Sequence, residues 1–124
     1  MTDITGSWLG SYWQNGSATR FEATFVQANN AVSGRIADDG PQGEADISGD
    51  IIGRHIEFIK QYLCHPERIR YTGTISEDGN FMSGKWTIGP RHSGTWEAYR
   101  GEDEFTISLQ KRLAKQTTLT GANR

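Results

Sequence analysis

Lys60 is the residue whose place in the sequence most strongly suggests chemistry. It lies in Ile56-Glu-Phe-Ile-Lys-Gln-Tyr62, where it alternates with Ile56, Phe58 and Tyr62. Side chains two residues apart on a strand share a face, so this pattern turns the lysine towards a core. A buried ammonium is costly unless it meets a carboxylate or a ligand anion, or has a lowered pKa. Lys60 therefore has three candidate roles: reaching water along its flexible stem, binding an anion, or transferring protons.

Three carboxylates, Asp38, Asp39 and Glu44, flank the loop Gly40-Pro-Gln-Gly43. Paired carboxylates can act as acid and base. Aspartates beside glycine and proline are, however, typical of turns. We therefore expect Asp38 and Asp39 to be turn residues.

The single cysteine and the three histidines form no familiar motif. Cys64 and His65 are adjacent, and His55 and His92 are distant in sequence. A metal site needs at least three converging ligands, and this spacing matches none that is well known. Cys64 as nucleophile with His92 as base also lacks a local motif. We expect no metal and no cofactor.

Composition narrows the class of protein. The chain has 124 residues and a net charge of -2, with basic and acidic residues interspersed. This length predicts one domain, and the charge predicts no nucleic-acid partner. We expect no membrane partner and no signal peptide, because long apolar stretches are absent from the sequence. One cysteine allows no internal disulfide, which favours a cytoplasmic location.

Strand patterns dominate the sequence. Apolar and polar residues alternate in eight consecutive segments, and no segment between them reads convincingly as a helix. The predicted strands are 6–14, 20–27, 31–37, 44–51, 54–62, 68–76, 81–88 and 93–100.

Eight sequential antiparallel strands can form a sandwich or close into a barrel. Closure removes both sheet edges and leaves room for side chains or one small ligand. Small residues on the inner face favour the barrel, because they let strands coil. These are glycines 10, 34, 49, 73, 84 and 94. The sequence thus predicts an all-β protein, an eight-stranded up-and-down antiparallel β-barrel with a short C-terminal extension.

The connections predict that the barrel has two unlike ends. Tight turns are expected after strands two, four and six, and longer loops after strands one, three, five and seven, over 15–19, 38–43, 63–67 and 89–92. Alternate connections of a meander lie at the same end, so the longer loops share one rim. Ligand sites favour such mouths. The inward residues near this rim that we expect to bind a ligand are Tyr12, Gln14, Lys60, Tyr62, Tyr71 and Trp86.

The first strand also resembles a known superfamily. Thr5-Gly-Ser-Trp8 is similar to the Gly-X-Trp signature of calycins, which include lipocalins and avidins, and the layout looks most like avidins. In that group a basic residue of the last strand commonly packs on this tryptophan, a position that Arg100 matches. The resemblance implies a ligand in the barrel mouth and association into oligomers. The biotin-contacting residues of avidins do not map onto this chain one by one.

The predicted barrel domain covers 1–101 and the extension covers 102–124. Segment 104–110 alternates as a strand would, yet Phe105, Leu109 and Leu113 also fall at helical spacing. Both interpretations of the extension stay open. Beyond about Thr117 we expect disorder.

Three functions are compatible with this architecture. The leading hypothesis is a protein that binds a small, partly apolar molecule, with an acidic group that meets Lys60 as one option. The second is an isomerase, cyclase or hydrolase that uses the same cavity. The third is a structural or oligomerisation module that acts through its surface, including Trp13, and whose filled barrel has no cavity above about 300 Å³.

Overall fold

Eight antiparallel strands, joined in chain order, close into a barrel in the computed structural model, which describes residues 3–39, 43–64 and 66–101. This confirms the predicted up-and-down barrel. The strands are β1 Gly6–Gln14, β2 Ser17–Ala28, β3 Ala31–Asp38, β4 Glu44–Ile52, β5 His55–Tyr62, β6 Arg68–Ile75, β7 Phe81–Ile88 and β8 His92–Gly101.

The barrel closes where β1 pairs with β8. Their antiparallel register places Trp8 opposite Arg100 and Tyr12 opposite Trp96. Every strand therefore has two neighbours, and no sheet edge is left open. Period-2 alternation then sends one face of every strand into the core, as the sequence predicts.

Two connections do not fit the predicted division into tight turns and longer loops. The loop expected over 15–19 is a two-residue turn, because Asn15 and Gly16 both adopt positive φ, 53° and 83°. Asn-Gly is the preferred pair for this hairpin turn, whose twist matches that of the strands. At the other end, the connection between β6 and β7 has five residues, 76–80. The open rim thus lies where β3 is followed by β4, β5 by β6 and β7 by β8.

Aromatic side chains fill the half of the barrel away from this rim. Phe58 lies at the centre of the cluster, with ring centroids 5.8 Å from Phe25, 4.8 Å from Tyr71 and 5.8 Å from Trp96. Most of these contacts are edge-on, the arrangement that ring quadrupoles favour. This packing therefore fills the deep half of the barrel interior formed by the described strands.

Arg100 closes the opposite end, and its predicted contact with Trp8 is confirmed. The guanidinium carbon lies 4.8 Å from the centroid of the indole ring. Arg100 also donates hydrogen bonds to the backbone oxygens of Asp3, Thr5 and Gly79, over 2.6 to 3.1 Å. One side chain thereby ties the start of β1 to the turn between β6 and β7.

The predicted extension 102–124 lies outside the described residues. So do His65 and most of the loop 40–43. Within the described part of the chain, no helix is long and apolar enough to cross a membrane.

Candidate functional site

A cavity of about 220 Å³ opens at the rim of the barrel. All six residues that the sequence predicts for the site lie around it. One loop residue, the first residue of β8 and two isoleucines complete the lining. The full lining is Tyr12, Gln14, Lys60, Tyr62, Glu67, Ile69, Tyr71, Trp86, Ile88 and His92.

Lys60 and Asp38 form a buried ion pair at the base of this cavity. The lysine Nζ lies 3.0 Å from Oδ2 and 3.2 Å from Oδ1 of the carboxylate. The side chains are 0% and 1% exposed. The interpretation of Lys60 as reaching water is therefore wrong, and so is that of Asp38 as a simple turn residue. A desolvated ammonium requires a partner, and this carboxylate provides it.

Three tyrosines surround the ion pair. The hydroxyls of Tyr62 and Tyr12 donate to Asp38 Oδ2, the latter over 3.3 Å, and Lys60 Nζ donates to the Tyr71 hydroxyl over 3.4 Å. The ammonium also lies 4.6, 4.7 and 5.5 Å from the ring centroids of Tyr12, Tyr62 and Tyr71. Aromatic faces attract a cation at these distances. The ammonium is thus held by one carboxylate and by three aromatic rings.

Burial shifts the pKa values of the ionisable groups in this cluster. It raises the pKa of the Tyr62 phenol far above its ordinary 10.0, and the bond to Asp38 acts in the same direction. Burial likewise raises the pKa of Tyr71. The pKa of Lys60 is lowered, because burial outweighs the opposing attraction of Asp38. Both phenols therefore stay protonated at neutral pH.

Asp38 is the residue that sequence reasoning missed. The sequence predicts that β3 ends at residue 37, whereas the strand continues to Asp38. The signal was present, because Asp38 is two residues beyond Ile36 on the face that already carries Val32 and Gly34. His92 was missed for the same reason, because β8 begins at His92, two residues before Gly94 on the inward face, whereas the predicted strand begins at residue 93. Glu67 lies in a loop, where alternation does not apply.

Trp86 forms the most constrained wall of the cavity. Its indole nitrogen donates to the backbone oxygen of Trp13 over 3.0 Å, and its ring meets Tyr12 edge-on at 6.3 Å. A Cβ on Gly94 would come within 2.6 Å of the same indole nitrogen. The glycine therefore makes the space that Trp86 occupies. With Ile69 and Ile88, this indole gives the cavity an apolar side.

Other reactive groups do not converge here. Cys64 is exposed and does not line the cavity. Among residues 3–39, 43–64 and 66–101, no three histidine, cysteine or acidic side chains lie close enough together to hold a metal ion.

Comparison with known proteins adds evidence on the fold. No protein-family model matches the chain, and no curated protein matches it in sequence. Among solved structures, the chain is similar to a de novo designed fluorescence-activating β-barrel, with a TM-score of 0.62 and 15% identity. The match covers 81% of this chain and 99% of the designed one. At this identity the likeness supports the barrel fold alone.

Proposed function

We propose that the open end of the barrel binds a small, partly apolar molecule. The observation that carries this proposal is a cavity with an aromatic and aliphatic wall above a buried polar base. Such a combination is the usual composition of a ligand site. At about 220 Å³ the cavity lies below the roughly 300 Å³ that would exclude a filled barrel, so that alternative stays open. The cavity is somewhat larger than one that admits benzene, roughly 150 Å³. The ligand is therefore about the size of one substituted ring.

Asp38 and the buried phenols are poorly suited to proton transfer, whereas the lowered pKa of Lys60 leaves this residue as the base that an enzyme would use. A general base needs a free lone pair and a pKa near the working pH. The Asp38 carboxylate already accepts hydrogen bonds from Lys60, Tyr12 and Tyr62. The phenols of Tyr62 and Tyr71 have raised pKa values, which disfavours them as bases at neutral pH. An acidic ligand group, the option raised by the sequence, would have to compete with Asp38 for Lys60.

The remaining expectations complete the proposal. The barrel domain covers 1–101 and the extension 102–124, and the protein is cytoplasmic, with no nucleic-acid or membrane partner. The contact between Arg100 and Trp8 supports a distant calycin-type relationship, from which association into a homo-oligomer would follow. A designed barrel of similar fold is fluorescence-activating, so this architecture can carry a function in a short chain.

The test is a thermal-shift screen with a panel of single-ring metabolites and matched variants at the two ends of the barrel. Ile88→Phe fills the mouth, whereas Ile52→Phe changes a residue that is 72% exposed beside the opposite turn. A ligand at about a hundred times its Kd adds roughly 2.7 kcal/mol, which raises the Tm by several degrees. We expect that shift in the wild type and in Ile52→Phe, and its loss in Ile88→Phe.

Two outcomes would contradict the proposal. If no member of the panel raises the Tm, a filled barrel that acts through its surface becomes the better hypothesis. If Ile88→Phe retains the full shift, the ligand binds elsewhere on the barrel. Product analysis of the stabilising mixture separates a binding protein from an enzyme, because only an enzyme converts the ligand.

A further inference from the structure

The base of the mouth cavity is already neutral in charge. Lys60 and Asp38 compensate each other, and their side chains are 0% and 1% exposed. A ligand carboxylate would bring a second anion close to Asp38, and a ligand ammonium would face Lys60. Either ion would also lose its hydration on entering. The exposed Glu67 at the rim adds to the cost for an anion. The site therefore favours an uncharged molecule.

One hydrogen-bond donor at this base has no acceptor among the described residues. The Tyr71 hydroxyl accepts from Lys60 over 3.4 Å, and its own proton is not donated to any described group. The hydroxyls of Tyr12 and Tyr62, in contrast, both donate to Asp38. Tyr71 is only 2% exposed and lines the cavity. A buried donor of this kind is costly unless an acceptor reaches it.

We propose that the mouth selects a small, uncharged ring compound bearing a carbonyl oxygen, which accepts the hydrogen bond of the Tyr71 hydroxyl. The inference rests on the proposed binding function and names the class of ligand. The ring lies against Trp86, Ile69 and Ile88, and the carbonyl points to the base of the cavity. A carbonyl oxygen suits this position because it accepts hydrogen bonds without a charge. Lys60, by donating to the Tyr71 oxygen, strengthens Tyr71 as a donor.

Four probes of nearly equal size test this selection: acetophenone, benzoate, benzylamine and ethylbenzene. Their affinities are measured by calorimetric titration on the wild type, on Tyr71→Phe and on Tyr99→Phe. Tyr71→Phe keeps the ring that stacks on Phe58 at 4.8 Å, and it removes only the hydroxyl. Tyr99→Phe is the matched control, because it removes a tyrosine hydroxyl from a side chain that is 53% exposed and does not line the cavity.

We expect acetophenone to bind the wild type most tightly, with a roughly three- to tenfold advantage over ethylbenzene, the usual size for one neutral hydrogen bond. That advantage should vanish in Tyr71→Phe and persist in Tyr99→Phe. Tightest binding by benzoate, or an unchanged ranking in Tyr71→Phe, would overturn the carbonyl assignment while leaving the cavity as a ligand site. If none of the four binds and the broader panel also fails, the binding function itself is overturned.

Discussion

Each end of the barrel holds one cation against aromatic rings, and the two cations are held in different ways. At the closed end, Arg100 lies 4.8 Å from the Trp8 ring and donates to three backbone carbonyl groups. At the open end, Lys60 lies among three tyrosine rings and is paired with Asp38. Arg100 is half-buried, and Lys60 is fully buried.

The difference follows from what surrounds each charge. Backbone carbonyls carry only partial charge, which suffices for a guanidinium that stays partly in water and can use its five donors. A fully desolvated ammonium needs a full counter-charge. At the closed end, Arg100 therefore links separate segments of the chain, whereas at the open end a charged pair lies beside a cavity. Such a pair stabilises a fold poorly for its cost, which is why we associate this end with function.

Asp38→Asn should have the largest effect, because it leaves the buried Lys60 without a counter-charge. Breaking a buried pair from one side typically costs about 3–5 kcal/mol. Urea unfolding measures the loss. The double variant Asp38→Asn with Lys60→Met should recover much of it, since neither charge then remains. A loss of stability below about 1 kcal/mol in the single variant would contradict the view that the buried Lys60 requires the full counter-charge of Asp38.

Arg100→Met should have a smaller effect, about 1–3 kcal/mol, from lost hydrogen bonds and the lost contact with the Trp8 ring. The carbonyl groups that it releases lie near water and can be hydrated, unlike Lys60 in the previous variant. Arg100→Lys is the matched control. It keeps the charge over the indole but cannot form the same forked bonds, so we expect only partial recovery in the same urea assay. Full recovery would show that charge alone closes this end.

The smallest expected difference between the two ends is in how stability changes at alkaline pH. The Tyr62 pKa is raised in the folded state, so above pH 10.0 the unfolded chain loses this proton while the folded protein keeps it. Stability is therefore lost as the pH rises above 10.0, by at most about 1.4 kcal/mol per pH unit for one group. Tyr62→Phe should reduce this slope in urea unfolding series, while Tyr71, whose pKa is also raised, keeps its own contribution. Arg100→Met should leave the slope unchanged, because arginine stays protonated. Equal slopes in the wild type and Tyr62→Phe would contradict the raised pKa.

The sequence predicted the barrel well because alternation is a local signal. Each of the eight predicted segments overlaps an observed strand, and the inward positions of Lys60 and Trp86 follow directly from period 2. The contact of Arg100 with Trp8 was predicted through a family resemblance. The connection after β1 was wrong because the predicted second strand began too late, and the Asn15-Gly16 turn signal was not used.

Sequence alternation could not identify Asp38 as the partner of Lys60. Asp38 lies 22 residues before Lys60, and β4 separates their strands. Which carboxylate meets a buried lysine depends on the tilt of the strands and on the exact end of β3. Alternation fixes the face of a side chain but not its neighbour across the barrel. The residues of the site were therefore predictable as a set, whereas the ion pair that organises them was not.

The pairing of β1 with β8 has a consequence for how the chain folds during synthesis. Ser7 in β1 pairs with Gly101 in β8, so one edge of β1 stays unpaired until β8 has been synthesised. Until β8 leaves the ribosome, β1 and β7 both present unpaired backbone groups to other chains. Pairings that are distant in sequence also form slowly. Among the described strands, this exposure of unpaired edges ends only when β8 emerges, so the nascent protein is most exposed to aggregation before that point.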